Sequence, residues 1–341
     1  MRMLPGCFSP QPEEMFSSWF ARLAYNHLLS PQQLYDYLIP KRKFPYSAIY
    51  RSDQSINDLL TLLASRTLTS AERIQQTLLT NYQLYQQSLI YYKKEIWLLN
   101  ATPRLDHSNK SGLMYCPGCL ANDSNRPYFR QRWSLSFLTT CLDCGLLLLD
   151  QCPQCGSPPA FLHIPLSKSQ DPPSLSTCWR CGFNLATAFT VKATYKYLVD
   201  QQQLLHQLSL IKIVGEFNTP TYFFVLYHAL RTIYSLARKR EIALPLKFIR
   251  YQQRYSYPWN FTKLSIQARA ELLQWAQLLL ANCHYEDHLS NYYKQKSRQP
   301  KKYPIYLMNV YFNELLVDRS VEELMPLFGL RGYKDFSQLV G

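Results

Sequence analysis

The chain is short of glycine, with only ten in 341 residues. Neither G-x-G-x-x-G nor G-x-x-x-x-G-K occurs, which argues against dinucleotide and P-loop nucleotide sites. Both motifs need glycines so that backbone N–H groups can approach a phosphate. The nucleophile elbow G-x-S-x-G is missing too. Acidic residues are scarce, 23 against 37 Lys and Arg, and the formal net charge is +14. A surplus of this size suggests an anionic partner, nucleic acid first. No apolar run reaches the length of a membrane span; the richest, Tyr222 to Leu230, ends at Arg231. The opening residues Met1 to Gly6 hold no apolar core of signal-peptide length. The expectation is a cytoplasmic protein with no membrane partner. With 47% hydrophobic residues, 26 Tyr and 17 Phe, the chain is globular and not disordered.

Cysteine is what the chain does have. Eight of ten fall in Cys-x-x-Cys pairs: Cys116/Cys119, Cys141/Cys144, Cys152/Cys155 and Cys178/Cys181. The gaps between pairs are 21, 7 and 22 residues, so one short link divides two sets of four. A C-x2-C turn places two thiolates on one ion, and four such ligands suit tetrahedral Zn2+. Both long gaps lie just outside the usual zinc-ribbon spacing. Three turns run into glycine (Gly145, Gly156 and Gly182), which takes the positive φ of a knuckle without steric penalty. Two structural Zn2+ ions are the reading. A disulfide framework suits short secreted chains instead, and the clustered spacing of iron–sulfur ligands is absent. Sequential pairing is preferred to a cross-braced one, because each long gap then closes its own loop. Four thiolates leave no open coordination position, so these metals are structural and not catalytic.

The fold class expected is mainly α with small zinc-ribbon or zinc-knuckle β elements. An N-terminal helix-turn-helix domain (1–110) precedes a double zinc-binding region (111–190) and a basic C-terminal helical domain (191–341). Residues 1–12 read as an extended arm whose removal should spare the fold. Phe16, Trp19, Phe20, Leu23 and Leu28 recur at helical spacing and predict a helix over 13–28. Ser30-Pro31 suits an N-cap and first helical position, predicting a second helix from Pro31 to Leu38. The layout repeats with helices over Ile56–Ser65 and Ser70 to Leu79, giving two helix-turn-helix units in tandem. Arg66, Arg73 and the Lys41–Lys43 cluster are candidate phosphate contacts, beside the reading that they form a solvated face. Strands are expected at Glu95–Leu99 and Leu146–Leu149.

Beyond residue 190 helices are expected at Tyr195–Ile213, Pro220–Arg240, Ser265–Ala281 and Glu314–Leu327. Residues 191–341 carry 20 Lys/Arg against 11 Asp/Glu, a net +9. Arg238, Lys239, Arg240, Arg250 and Arg254 are interleaved with Tyr251, Tyr255, Tyr257 and Trp259. Cations mixed with aromatics suit phosphate contact and base stacking. A second basic stretch runs from Lys294 to Lys302. His284 and His288 share a helical face, yet ordinary histidines outweigh a third metal site there, since no further ligand is legible.

The motifs Tyr115–Cys119, Tyr128–Trp133, Cys141–Leu147 and Cys152–Gly156 resemble the core of the TniQ/TnsD proteins of Tn7-like transposons. That pattern runs Y-C-P-x-C, Y-F-R-x-x-W, C-x-x-H-G-x-L-L and C-P-x-C-G. Ser18 to Leu23 is similar to the family's S-W-x-x-R-L element. Cys144 stands where the family often has histidine; both ligate zinc. The resemblance covers about residues 10–182. It implies a non-enzymatic target-selection adaptor that recruits the AAA+ regulator TnsC, itself a partner of the transposase. Two modes are implied: one rides on an RNA-guided Cascade complex with its crRNA, and the other, TnsD-like, binds a DNA site directly. The Cascade-linked mode is favoured, since no extra large DNA-reading module is legible. A zinc-stabilised nucleic-acid-processing enzyme, such as a nuclease, is the reading from another class.

Overall fold

The structure, a computed structural model, describes residues 4–39, 57–79, 97–99, 112–123, 126–166, 171–214, 222–239 and 260–282. The chain forms two compact units, Met1–Gln202 and Gln203–Gly341. The N-terminal helices and all eight paired cysteines lie in the first.

Two helix pairs open this unit. α1 (Phe16–Asn26) is followed by α2 (Pro31–Leu38), and α3 (Asn57–Arg66) by α4 (Ala71–Gln75). α1 starts later than its periodicity suggests. Glu13 has φ 56, and Met15 N–H donates to Phe129 O instead of entering the helix. Its end is set by Leu28, at φ 54. Leu29 N–H reaches back to Ala24 O and Leu28 N–H to Tyr25 O, the two bonds of a Schellman closure. Leucine in that left-handed region is unusual, because its Cβ crowds the backbone. Ser30 caps α2 with Gln33 completing a capping box, and Pro31 sits at the first position, as expected. Ser70 likewise caps α4 through Arg73 N–H. α4 stops well short of Leu79, because Thr77 O turns away to accept Phe16 N–H.

The arm needs a correction. Residues 4–12 are extended but strapped down. Leu4 N–H donates to Arg66 O, and the Trp19 indole N–H donates to Phe8 O at 2.9 Å. Ser9 meets Thr69, and Arg73 donates to Pro10 O. Removing the arm would leave the indole N–H of fully buried Trp19 without its acceptor, a cost of about 1–3 kcal/mol.

α5 (Pro117–Asn122) carries Cys119. A two-stranded antiparallel hairpin follows, β1 (Thr140–Cys141) paired with β2 (Leu146–Leu147). Tyr115 pairs with Leu149, and Leu98 with Leu135, in isolated bridges. The strand expected at Leu146–Leu149 is thus present in shortened form, whereas of the one expected at Glu95–Leu99 the described residues 97–99 form only the Leu98 bridge; Glu95 and Ile96 lie outside the described residues. The core of the unit is aromatic. Trp19, Phe20, Tyr25, Phe129, Trp133, Phe137 and Phe161 are fully buried or nearly so. The Phe129 ring lies 5.6 Å from Trp133, edge to face, and 4.5 Å from Phe161.

α6 (Tyr195–Val214) begins in the first unit. In the second unit α7 (Tyr222–Lys239) packs against α8 (Ile266–Asn282). Phe223, Leu226, Leu230 and Ile233 of α7 are buried, as are Leu272, Leu273, Ala276 and Leu279 of α8. The expected helix over 314–327 lies outside the described residues.

Candidate metal centres

The eight cysteines gather into two groups: Cys116, Cys119, Cys141 and Cys144, then Cys152, Cys155, Cys178 and Cys181. In each group the four Sγ atoms lie within 4.8 Å of one another. Pairing is therefore sequential, and a cross-braced arrangement is ruled out. Thiolates about 2.3 Å from a tetrahedral Zn2+ sit about 3.8 Å apart. The Sγ separations here are 3.4 Å (Cys119–Cys141), 3.5 Å (Cys119–Cys144) and 3.7 Å (Cys152–Cys181 and Cys155–Cys178). Donor type, number and spacing thus fit zinc at both centres.

Local sequence makes the turns. Gly145, Gly156 and Gly182 have φ of 64°, 68° and 76°. Each donates its N–H to the carbonyl of the first cysteine in its pair: Cys141, Cys152 and Cys178. A side chain at these positions would strain the backbone. At the first centre space is tight as well, since a Cβ on Gly118 would lie 3.1 Å from Cys144 Sγ and from Leu146 Cδ1.

Charge around the first centre is organised by residues that spacing does not reveal. Asp143, inside the Cys141–Cys144 turn, accepts from the Arg132 guanidinium and lies 3.8 Å from Cys119 Sγ. Arg132 also reaches Glu13, at 3.4 Å. Arg130 holds Asp123 through two bonds of 3.1 and 2.9 Å and stacks over Tyr128 and Trp133. Two guanidinium groups beside four thiolates offset part of the negative charge that a Zn(Cys)4 group carries, and outer partners of this kind orient the ligands. The sequence offered only one hint, an aspartate between two ligands. At the second centre burial pushes the Cys178 thiol up to about 12. A bound cation reverses that preference by stabilising the thiolate.

Both centres are tied to α1 through their long loops. From the Cys119–Cys141 loop, Phe129 N–H donates to Ser18 Oγ, Gln131 N–H to Glu13 O and Gln131 Nε2 to Glu14 O. From the Cys155–Cys178 loop, Phe161 O and Ile164 O both accept the Tyr25 hydroxyl, at 2.7 and 3.2 Å. At the head of α1 a buried ion pair joins Glu14 to Arg22 at 2.6 Å. Gln11 N–H and Ser18 Oγ satisfy the same carboxylate, while Arg22 lies over the Phe8 ring.

Residues 5–148 match the TniQ family model. Over these residues the chain is similar to the TniQ family. No curated protein matches the chain. The TniQ match takes in the arm, the helix pairs and the first cysteine group, and ends before Cys152. The TniQ match implies a role in target-site selection for Tn7-like transposition.

The expected nucleic-acid contacts are scattered. Arg73 is held by Pro10 O and Gln76 Oε1, each at 3.2 Å. Arg66 is half-buried, and its carbonyl accepts the Leu4 N–H. Arg238 and Lys239 fall in the last turn of α7. Arg240, Arg250, Arg254, Lys41–Lys43, Lys294–Lys302 and the His284/His288 pair lie outside the described residues.

Proposed function

We propose that this protein is a target-selection adaptor in DNA transposition, linking an RNA-guided Cascade ribonucleoprotein to a TnsC-type AAA+ ATPase. The observation that supports it best is the TniQ match over residues 5–148, whose helices are bound, residue by residue, to the loop closed by the first cysteine centre. Such a unit is built to present fixed surfaces. Two four-thiolate centres would leave no open coordination position for substrate, so the metal's work is structural, and the adaptor reading gives the protein no enzymatic activity. Zn2+ at both centres and a cytoplasmic location complete the reading. No helix among the described residues is long and apolar enough to cross a membrane.

Direct, TnsD-like DNA reading is the second mode. The net +9 of residues 191–341 favours it, and Arg238, Lys239 and Arg240 are its first candidates. One experiment separates the two. The tagged protein is purified from cells carrying the whole transposon, with and without the Cascade genes. Cascade subunits and TnsC should copurify, and the isolated protein should bind target and scrambled duplexes alike. Strong preference of the isolated protein for the target duplex would replace the Cascade-linked mode with the direct one. Mg2+-dependent cleavage of either duplex would overturn both in favour of a zinc-stabilised nuclease.

A further inference from the structure

The segment after the second centre presents large apolar side chains on a fixed backbone. Phe189 is 84% exposed and Tyr195 82%, with Val191 and Val199 at 50% and 41%. Free mobility does not account for this. Leu147 N–H donates to Val191 O at 2.9 Å, Ala193 N–H to Gly145 O at 2.8 Å and Thr190 Oγ1 to Leu147 O at 2.8 Å. Lys192 pairs with Leu146 in an antiparallel bridge. Residues 190–193 therefore run beside β2, held by that isolated bridge and these bonds next to the Cys141–Gly145 knuckle of the first centre. Phe189 precedes this stretch and Tyr195, the first residue of α6, follows it.

Charge identifies the occupant. Between Pro172 and Val199 the charged residues are Arg180, Lys192 and Lys196, with no Asp or Glu. Asp200 follows one turn beyond Lys196 and acts on it, while Lys192 is exposed. Exposed aromatic side chains on either side of an exposed lysine in sequence suit unstacked bases and a phosphate, and aromatics stack bases in several single-strand readers. Within a duplex the base faces are covered by their neighbours, so rings so placed have nothing to stack on.

We propose that Phe189, Lys192 and Tyr195 form a binding site for single-stranded nucleic acid. The two rings stack on bases and Lys192 meets a phosphate of the same strand. The site goes beyond the adaptor reading and holds whether Cascade or the protein itself finds the target.

The test uses the purified full-length, zinc-loaded protein and a fluorescein-labelled 20-mer of oligo-dT, with a duplex of equal length beside it. Phe189→Ala and Tyr195→Ala should each weaken oligo-dT binding by roughly fivefold to a hundredfold, with duplex binding and zinc content unchanged. Lys192→Ala should lower the log–log salt slope by about 0.7. Phe189→Trp should keep the affinity, and the emission it adds to the wild-type spectrum should be quenched by unlabelled oligo-dT. Three results would each overturn the proposal: no binding of oligo-dT by the wild type, alanine variants that bind it as the wild type does, or added emission in Phe189→Trp that does not respond to it. An alanine variant that lost self-association while keeping oligo-dT affinity would make the patch an interface between copies instead.

Discussion

The two cysteine centres share a ligand set and differ in almost everything around it. At the first, Cys116, Cys119 and Cys141 are buried and only Cys144 is half-buried. A Cβ on Gly118 would strike a ligand, and Leu198 lies 4.0 Å from one on Gly145. Arg132, Asp143 and Glu13 tie the turn to the head of α1. At the second, Cys155 is half-buried and Cys181 sits at the border of exposed. A Cβ on Gly156 or Gly182 would meet nothing within 4 Å. The TniQ match includes the first centre and stops before the second. Equal coordination chemistry therefore need not mean equal retention. Packing and outer charge should make the first centre the foundation of the N-terminal unit and the second a brace added to it.

The largest effect should follow from breaking the first centre. Cys119→Ser removes a thiolate from the group on which β1, α5 and the α1-binding loop converge. Structural zinc is worth about 10–16 kcal/mol of folding free energy in zinc-finger peptides, as much as the whole stability of a typical domain. The N-terminal unit should fail to fold, and far-ultraviolet circular dichroism should show helix loss. A folded variant retaining two zinc ions would abolish the distinction between the centres.

Breaking the second centre should do less. Cys152→Ser should bring zinc from two ions to one and loosen the loop between Cys155 and Cys178. α1 would keep its bonds to Phe129 and Gln131, so most helix signal should survive with a lower Tm. Loss of both metals in this variant would show that the second centre supports the first.

How far the sequence spoke is clearest at these two sites. Ligands, pairing and the glycine turns were legible because they are local: two thiols two residues apart, then a residue free to take positive φ. The Ser30 and Ser70 caps were legible for the same reason. The grip on α1 was not. Phe129 meets Ser18 across 111 positions and Tyr25 meets Phe161 across 136, and no periodicity encodes such contacts. The start of α1 was misplaced by this same physics. Glu13 and Glu14 have helical neighbours in sequence, but their backbone is claimed by Arg130 and Gln131. The burial of the Glu14–Arg22 pair was hidden too, since two charges eight residues apart read as surface until the arm closes over them.

A sharper comparison comes from the outer charges. Arg132→Gln keeps a donor for Asp143 but removes the positive charge beside the first centre. Retention of zinc there should fall about tenfold, the low end for outer-partner mutations, while the second centre keeps its own rate. Arg132→Lys should recover most of the loss, because charge and a donor return. The measurement is chelator-driven release with a colorimetric zinc dye, resolved into two phases. In the wild type the slow phase belongs to the first centre, and Cys152→Ser, which keeps only that centre, assigns it. Equal slowing or speeding of both phases would mean that Arg132 acts on the fold at large.

The smallest effect should come from the single hydroxyl linking α1 to the second centre's loop. Tyr25 is 1% exposed, and its single O–H is shared between two carbonyls, Phe161 O and Ile164 O. Tyr25→Phe keeps the ring and its packing but leaves those acceptors without their donor in a dry setting. An orphaned buried polar group costs about 1–3 kcal/mol, which for a unit of this size lowers Tm by about 2–4 °C per kcal/mol. The direction of the metal effect carries the argument. If the second centre braces α1 through this contact, then α1 braces the second centre in return, because linkage is reciprocal. The fast phase of zinc release should therefore quicken in Tyr25→Phe, and the slow phase should stay as it was. Phe129, Gln131 and Arg132 hold the first centre to α1 without using this hydroxyl. A fast phase left unchanged by a variant with lowered Tm would show that the loop closed by the second centre keeps its metal without help from the helix. The two centres would then differ in exposure alone.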